Sequence, residues 1–208
     1  MAVTILVPTY NMAEYLKPLA ESLLEAGLLP QLSGILFVDD GSVDATPQIL
    51  EKLTLDPQFE NKLRVLRLEP NRGRFTARFE GAKLVKSPWI LFLDSRLRVK
   101  TGFAFNLQRA LKRDRAAVGW VDTDVHKNVY CLYWQRSHEF IFRRHYQIRQ
   151  PLELTTENYD QFLKGTGVFV CKTEQFLSVC EALESHDVRS DDTLLLREML
   201  EFGPIFID

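Results

Sequence analysis

Residues 35–47 read Ile35-Leu36-Phe37-Val38-Asp39-Asp40-Gly41-Ser42-Val43-Asp44-Ala45-Thr46-Pro47. The apolar run Ile35 to Val38 suits a strand covered on both faces. Asp39-Asp40-Gly41-Ser42 suits the turn that ends it. Pro47 suits a first helical position and opens a helix that runs through Leu53. Two adjacent carboxylates at the end of a buried strand repel each other, so a fold keeps both only where hydrogen-bond donors or cations stand opposite. Strand, charged turn and helix make one βα unit.

The same unit recurs on either side. Upstream, Val3 to Val7 is a short β-branched run. Asn11 caps a helix with Glu14 at its third position, and Leu16, Leu19, Ala20, Leu23 and Leu24 repeat at helical spacing until Gly27 stops it. Pro18 either kinks that helix or marks a later start. Downstream, Leu63 to Leu68 is a strand and Asn71-Arg72-Gly73 a turn. A helix follows from Arg74 to Lys86, with Phe75, Phe79, Ala82 and Leu84 or Val85 inward, ended ahead of Pro88. Trp89 to Leu93 is a continuous apolar strand. Such alternation predicts an α/β domain, a Rossmann-like mostly parallel central sheet flanked by helices.

Ligands of such sheets bind beyond the carboxyl ends of the strands. Pro8-Thr9-Tyr10-Asn11, Asp39-Asp40-Gly41-Ser42, Pro70 to Arg74 and Asp94-Ser95-Arg96 stand there, with more charge than a structural loop requires. The second half is less regular. Ala117 to Val121 and Val129 to Trp134 read as strands, His138 to Ile148 as a basic aromatic helix, and Gly167 to Cys171 as a strand. Thr173 to Leu183 and Asp191 to Leu200 read as helices. Pro204 to Asp208 reads as a strand just begun, which suggests a C-terminal portion beyond it. Residues 1–208 are expected to form a single domain, with a nucleotide-type half at 1–100 and a more variable half at 101–208.

With 46% apolar and 26% charged residues in 208, the chain is neither disordered nor fibrous. Its net charge of -2 hides an imbalance: residues 62–115 carry 15 Lys or Arg against 4 Asp or Glu. An anionic ligand is expected near that stretch. Cys131, Cys171 and Cys180 form no CxxC pair and suit reduced thiols in a cytoplasmic setting. The first residues lack a signal-peptide pattern, and no apolar run is long enough to span a bilayer.

Several segments resemble one family, the inverting nucleotide-sugar glycosyltransferases of family 2, which have the GT-A fold. Ile5-Leu6-Val7-Pro8-Thr9-Tyr10-Asn11 is similar to that family's opening strand and turn. Phe37-Val38-Asp39-Asp40-Gly41-Ser42, with Asp44 and Thr46, is similar to its carboxylate turn. Asn71-Arg72-Gly73 with Ala77-Arg78 and Gly81, and then Trp89 to Ser95, resemble the helix and strand before its sugar-phosphate loop. Gly165-Thr166-Gly167 and Ser190-Asp191-Asp192-Thr193, with Leu196-Arg197, resemble its acceptor-side pieces.

The resemblance implies a nucleotide diphosphate-sugar donor, a UDP-sugar foremost, and a glycan, lipid-linked or small-molecule acceptor. It implies that Asp40 accepts from the nucleobase while Asp39 holds the turn or the ribose. Pro8 and Tyr10 would lie against the base, although Tyr10 also suits a helix-entry staple. Arg72 or Arg78 would grip the diphosphate. Asp192 would be the general base, with Asp191 as its neighbour and substitute. Where the family places Asp-x-Asp, this sequence has Asp94-Ser95-Arg96. Mg²⁺ or Mn²⁺ needs oxygen ligands, and a guanidinium supplies none. Two readings follow. Arg96, with Arg98 nearby, neutralises the leaving diphosphate directly, or transfer is lost and a non-catalytic nucleotide-sugar-binding or interaction module remains. Asp94 then contacts ribose or helps a weakly held cation. The family's later His ligand has no matching position. Nucleic-acid binding is not expected, because the basic residues fall where the family holds diphosphate. The helix from His138 is either half-buried or lies on a membrane surface, which would place the protein at the inner face of the membrane.

Overall fold

The computed structural model describes residues 2–121, 129–143, 152–162, 164–184 and 192–207. Its first half alternates strictly. β1 (Val3–Thr9), α1 (Ala13–Glu25), β2 (Leu32–Asp40) and α2 (Thr46–Thr54) are followed by β3 (Leu63–Leu68), α3 (Arg74–Lys83), β4 (Trp89–Leu93) and α4 (Phe103–Lys112). The second half adds β5 (Ala117–Val118), α5 (Val129–Ile141), β6 (Leu152–Leu154) and β7 (Val168–Lys172), then α6 (Thr173–Glu184), α7 (Asp192–Met199) and β8 (Ile205–Ile207). One eight-stranded sheet joins both halves in the order β3-β2-β1-β4-β7-β5-β8-β6. The pairs β3-β2, β2-β1, β1-β4 and β5-β8 are parallel, and β7 and β6 run against their neighbours.

Strand periodicity assigns the two faces. Ile5, Val7, Ile35, Phe37, Leu91 and Leu93 pack with Leu16, Leu19 and Leu23 of α1, Leu50 of α2 and Leu107 of α4. Leu6, Leu36, Val38, Ile90 and Phe92 pack on the other side with Phe75 and Phe79 of α3, Phe176 of α6 and Leu196 of α7. A sheet buried on both faces explains why its central strands read as unbroken apolar runs rather than as alternation. Phe92 is fully buried, with its ring centroid 4.5 Å from that of Phe176. Truncating such a side chain to Ala costs about 3–5 kcal/mol.

Two local expectations change. Asn11 does not cap α1: it has φ 52° and its Oδ1 accepts from the Val43 N–H, so the helix begins at Ala13 with Glu14 second. The N–H groups of Asn11, Met12 and Ala13 donate instead to Ser42 Oγ, Thr46 Oγ1 and Asp44 Oδ2 of the β2–α2 loop. Pro18 lies inside α1. Val129 to Trp134 is helix, not strand. The rings of Tyr130, Trp134, His138 and Phe142 meet at four-residue spacing, which only a helix aligns. This helix, α5, ends at Ile141, and residues 144–148 of the helix expected from His138 lie outside the described residues.

Candidate active site

The strand order positions the site. From β1 the chain moves outward through β2 to β3, then returns to β4 on the other side of β1. The switch opens a crevice at the carboxyl ends of β1 and β4. A cleft of about 340 Å³ lies there, walled by Pro8 and Tyr10 after β1, Asp40 of β2, Arg74 and Arg78 of α3, and the Asp94-Ser95-Arg96 turn after β4.

Asp40 is 2% exposed and is held by the loop before α3. Its Oδ1 accepts from the Arg72 N–H and its Oδ2 from the Gly73 N–H, both at 2.8 Å, while Asn71 Nδ2 donates to its carbonyl at 2.9 Å. Burial pushes its carboxyl above the ordinary value; those two backbone bonds pull the other way, and Asp39 adds to the rise. A carboxylate accepts more than one bond per oxygen, so Asp40 retains acceptor capacity toward the cleft. Gly41 makes this possible. At φ +75° it lets the turn press against the 68–71 backbone, where a Cβ would stand 2.8 Å from Asn71 N.

Asp39 points to the opposite face and does not line the cleft. Its Oδ1 accepts from the Ser42 N–H at 3.0 Å, and Arg67 Nε stands 4.0 Å from Oδ2. That is an ion-pair distance too long for a hydrogen bond, which is why Oδ2 is a buried oxygen lacking one. The adjacent carboxylates are thus separated by the strand pleat, each with its own donors.

The Asp94-Ser95-Arg96 turn closes on itself. Arg96 Nε donates to Asp94 Oδ1 at 2.9 Å, Arg96 Nη2 to Oδ2 at 2.7 Å, and the Arg96 N–H to Oδ1 at 3.0 Å. Burial works to raise the Asp94 carboxyl, but the bonds from Arg96 outweigh it and hold the group below its ordinary value. A two-pronged fork of this kind is the strong form of the Arg–carboxylate pair. The guanidinium's remaining N–H donors are left for another anion.

The arginines sort themselves. Arg78 is 4% exposed, lies over the Phe92 ring at 5.8 Å and donates through Nη2 to the Thr166 carbonyl at 3.4 Å. Gly165-Thr166-Gly167 is thereby brought beside the cleft, and the Gly167 carbonyl accepts from the Asp94 N–H at 2.8 Å. Arg72 gives the site its backbone N–H, while its side chain turns to Glu80 at 3.7 Å. Arg74, two residues on, stands on the wall instead. Arg98 falls on a neighbouring cleft, not on this one. Asp191 lies outside the described residues, and Asp192 opens α7 with its side chain outside them. Met12 also lines the cleft, an apolar contribution that no charge or turn signal in the sequence marks.

At the Asp-x-Asp position the described residues offer a divalent cation one acid, Asp94. Both oxygens of Asp94 are engaged by Arg96, and among the described residues no group of three or more His, Cys, Asp or Glu converges to hold a metal. Among the described residues, too, no helix is long and apolar enough to cross a membrane.

Comparison with known proteins bears on the family and the fold. A family model described as "Glycosyl transferase family 2" matches residues 4–173. The chain is 35% identical over 95 residues to the minor teichoic acid biosynthesis protein GgaA of Bacillus subtilis, covering 44% of this chain and 21% of that protein. It is 35% identical over 98 residues to the poly(ribitol-phosphate) beta-N-acetylglucosaminyltransferase TarS of Staphylococcus aureus, covering 46% and 16%. Among solved structures, S. aureus TarS in complex with UDP-GlcNAc has a TM-score of 0.69 at 19% identity, covering all of this chain and 56% of that one. The mannosyltransferase PcManGT of Pyrobaculum calidifontis, in complex with GDP-Man and Mn²⁺, has a TM-score of 0.63 at 16% identity, covering 99% and 56%. These likenesses show the GT-A fold. The chain matches well under half the length of these curated relatives, and the family match ends before Asp191 and Asp192.

Proposed function

This chain belongs to glycosyl transferase family 2, and on that premise we propose that it moves a sugar from a UDP-sugar to a hydroxyl of a glycan acceptor with inversion. Tyr10 and Pro8 lie against the base, and Asp40 accepts from it. Arg74, Arg78 and Arg96 face the diphosphate, with Arg72 holding the loop through Asp40. Asp192 takes the acceptor proton as the acceptor oxygen attacks the anomeric carbon. The bond from that carbon to the diphosphate breaks, and its electrons leave with UDP. A single in-line displacement inverts the centre. UDP-GlcNAc bound to the similar TarS structure supports the donor class, and the poly(ribitol-phosphate) in TarS's name supports a polymeric acceptor that bears hydroxyls.

The observation that carries this reading is the Asp94–Arg96 fork on the cleft wall. It puts a fixed positive charge where family members use a cation, so the leaving diphosphate is neutralised without metal. Three cysteines free of disulfides support a cytoplasmic setting. The exposed aromatics of α5 support contact with the inner membrane face.

Asp192→Asn tests the reading: turnover falls by about 10²–10⁴-fold, the size of a general-base contribution, with UDP affinity retained. Unchanged turnover removes Asp192 as the base. A product that keeps the donor's anomeric configuration, read by NMR, removes inversion. A second reading draws on the same fork, because Asp94 is withdrawn from metal binding: a nucleotide-sugar-binding module without transfer. UDP binding with no turnover of any donor by the full protein would favour it.

A further inference from the structure

We infer that Tyr159 is a positioning residue for transfer, its buried hydroxyl holding the first turn of α7, which carries Asp192. The inference deepens the transfer reading above and rests on Asp192 as the base. Tyr159 opens a one-turn 3₁₀ helix, Tyr159–Gln161, and is 3% exposed. Its hydroxyl donates to the carbonyl of Thr193, the residue after Asp192. Phenylalanine would fill the same core, so the hydroxyl needs a reason of its own. A buried Tyr O–H is kept where it meets a partner.

The Tyr159 side of this contact is anchored to the sheet. β6 pairs with β8 through Leu154 and Ile205. Asn158 ties the turn that follows, its Nδ2 donating to the Glu153 carbonyl at 2.9 Å and its Oδ1 accepting from the Thr155 N–H at 2.8 Å. Lys164 Nζ donates to the carbonyls of Tyr159 and Phe162 and stands 4.0 Å from the Tyr159 ring centroid. Burial deepens along α7 from exposed Thr193 through half-buried Leu194 to Leu195 and Leu196 in the core. Packing thus fixes the helix from Leu195 on, and the hydroxyl bond reaches the turn before it. One turn beyond Thr193, Arg197 Nη2 donates to Asp160 Oδ2 at 3.2 Å, and its guanidinium lies 5.3 Å from the Tyr159 ring centroid. Tyr159, Asp160 and Lys164 therefore bracket the start of α7. A general base works only within hydrogen-bond reach of the proton it takes, and a misplacement of about 1 Å can cost about 10²-fold in rate.

The test measures UDP released from UDP-GlcNAc by the full protein, with water as acceptor, in a cycle of Tyr159→Phe, Asp192→Asn and the double variant. Tyr159→Phe keeps the ring and removes the hydroxyl. It is expected to lower kcat by about tenfold or more. The KM for UDP-GlcNAc and the affinity for UDP stay within about twofold of native, which also shows the variant folded. In the Asp192→Asn background the same change alters kcat by less than about twofold, because Tyr159 acts through Asp192. Hydrogen exchange read by mass spectrometry follows the bracket without any donor: amides of residues 196–199 exchange about threefold faster or more in Tyr159→Phe. Native kcat in Tyr159→Phe beside a slow Asp192→Asn overturns the inference alone. So does an equal fall of kcat in both backgrounds, or native exchange in α7. Native kcat in Asp192→Asn removes the base assignment and this role with it.

Discussion

Gly41→Ala separates two costs that the structure places on one residue. At φ +75°, an alanine pays the left-handed penalty of roughly 1–2 kcal/mol. Its Cβ would also stand 2.8 Å from Asn71 N, 3.2 Å from the Pro70 carbonyl carbon and 3.3 Å from Leu68 O. All three are backbone atoms, so no side chain can swing away, and overpacking of this kind costs about 1–3 kcal/mol more. Together they amount to about 2–5 kcal/mol, or a melting point lowered by roughly 4–20 °C for a chain of this size. Gly27→Ala is the matched control, since Gly27 has φ +64° and nothing within 4 Å of its Cβ position. It carries the strain alone, a drop of about 2–8 °C. The added cost at Gly41 falls on the loop that donates to Asp40. Gly41→Ala therefore also weakens UDP binding, and Gly27→Ala does not. Calorimetric unfolding and isothermal titration of UDP read the two effects. Melting points of the two variants within about 2 °C of each other, or native UDP affinity in Gly41→Ala, would refute the reasoning.

Other expectations follow from single residues. Asp94→Asn breaks the fork, and Asp94 has a folded pKa below its unfolded value of about 3.9. The native protein's stability advantage over Asp94→Asn is thus complete above about pH 4 and lost as pH falls through the folded pKa. Arg96 is 56% exposed and screened, so the advantage is about 1 kcal/mol. Urea melts across pH read it, and a decline already under way by about pH 6 would contradict the fork. Burial raises the Cys171 thiol well above its ordinary value and pushes Cys180 up to about 12. A thiol reagent at about pH 8 should label half-buried Cys131 in the native protein and reach the other two only after unfolding, as mass spectrometry would show.

Strands that carry their own signal emerge at the boundaries their sequence predicts. Leu63–Leu68 and Trp89–Leu93 are bounded by charge and turn formers and end as expected. The carboxylate turn was readable for the same reason, because Asp39-Asp40-Gly41-Ser42 is local chemistry. What depended on distant partners was not. The start of α1 is set by Ser42, Asp44 and Thr46, some thirty residues away, and Asn11 in isolation imitates a cap. Val129 to Trp134 has the aromatic composition of a strand, and only ring spacing on a helix distinguishes it. At the site, loss of the second Asp-x-Asp acid could be read directly. That Arg96 reaches back to fork Asp94, and that Arg74 rather than Arg72 presents its side chain to the cleft, required coordinates.

The central claim is that Arg96, held by Asp94, stands in for the divalent cation at the donor diphosphate. Titration of UDP into the native protein and Arg96→Asp, each in EDTA and in Mn²⁺, tests it most directly. The account predicts native affinities in the two buffers within about twofold of each other. In Arg96→Asp it predicts weak binding in EDTA and recovery by about tenfold or more with Mn²⁺, as oxygen ligands replace the guanidinium. Native protein that binds UDP only with Mn²⁺, or Arg96→Asp that binds it in EDTA as well as native protein does, would contradict the claim.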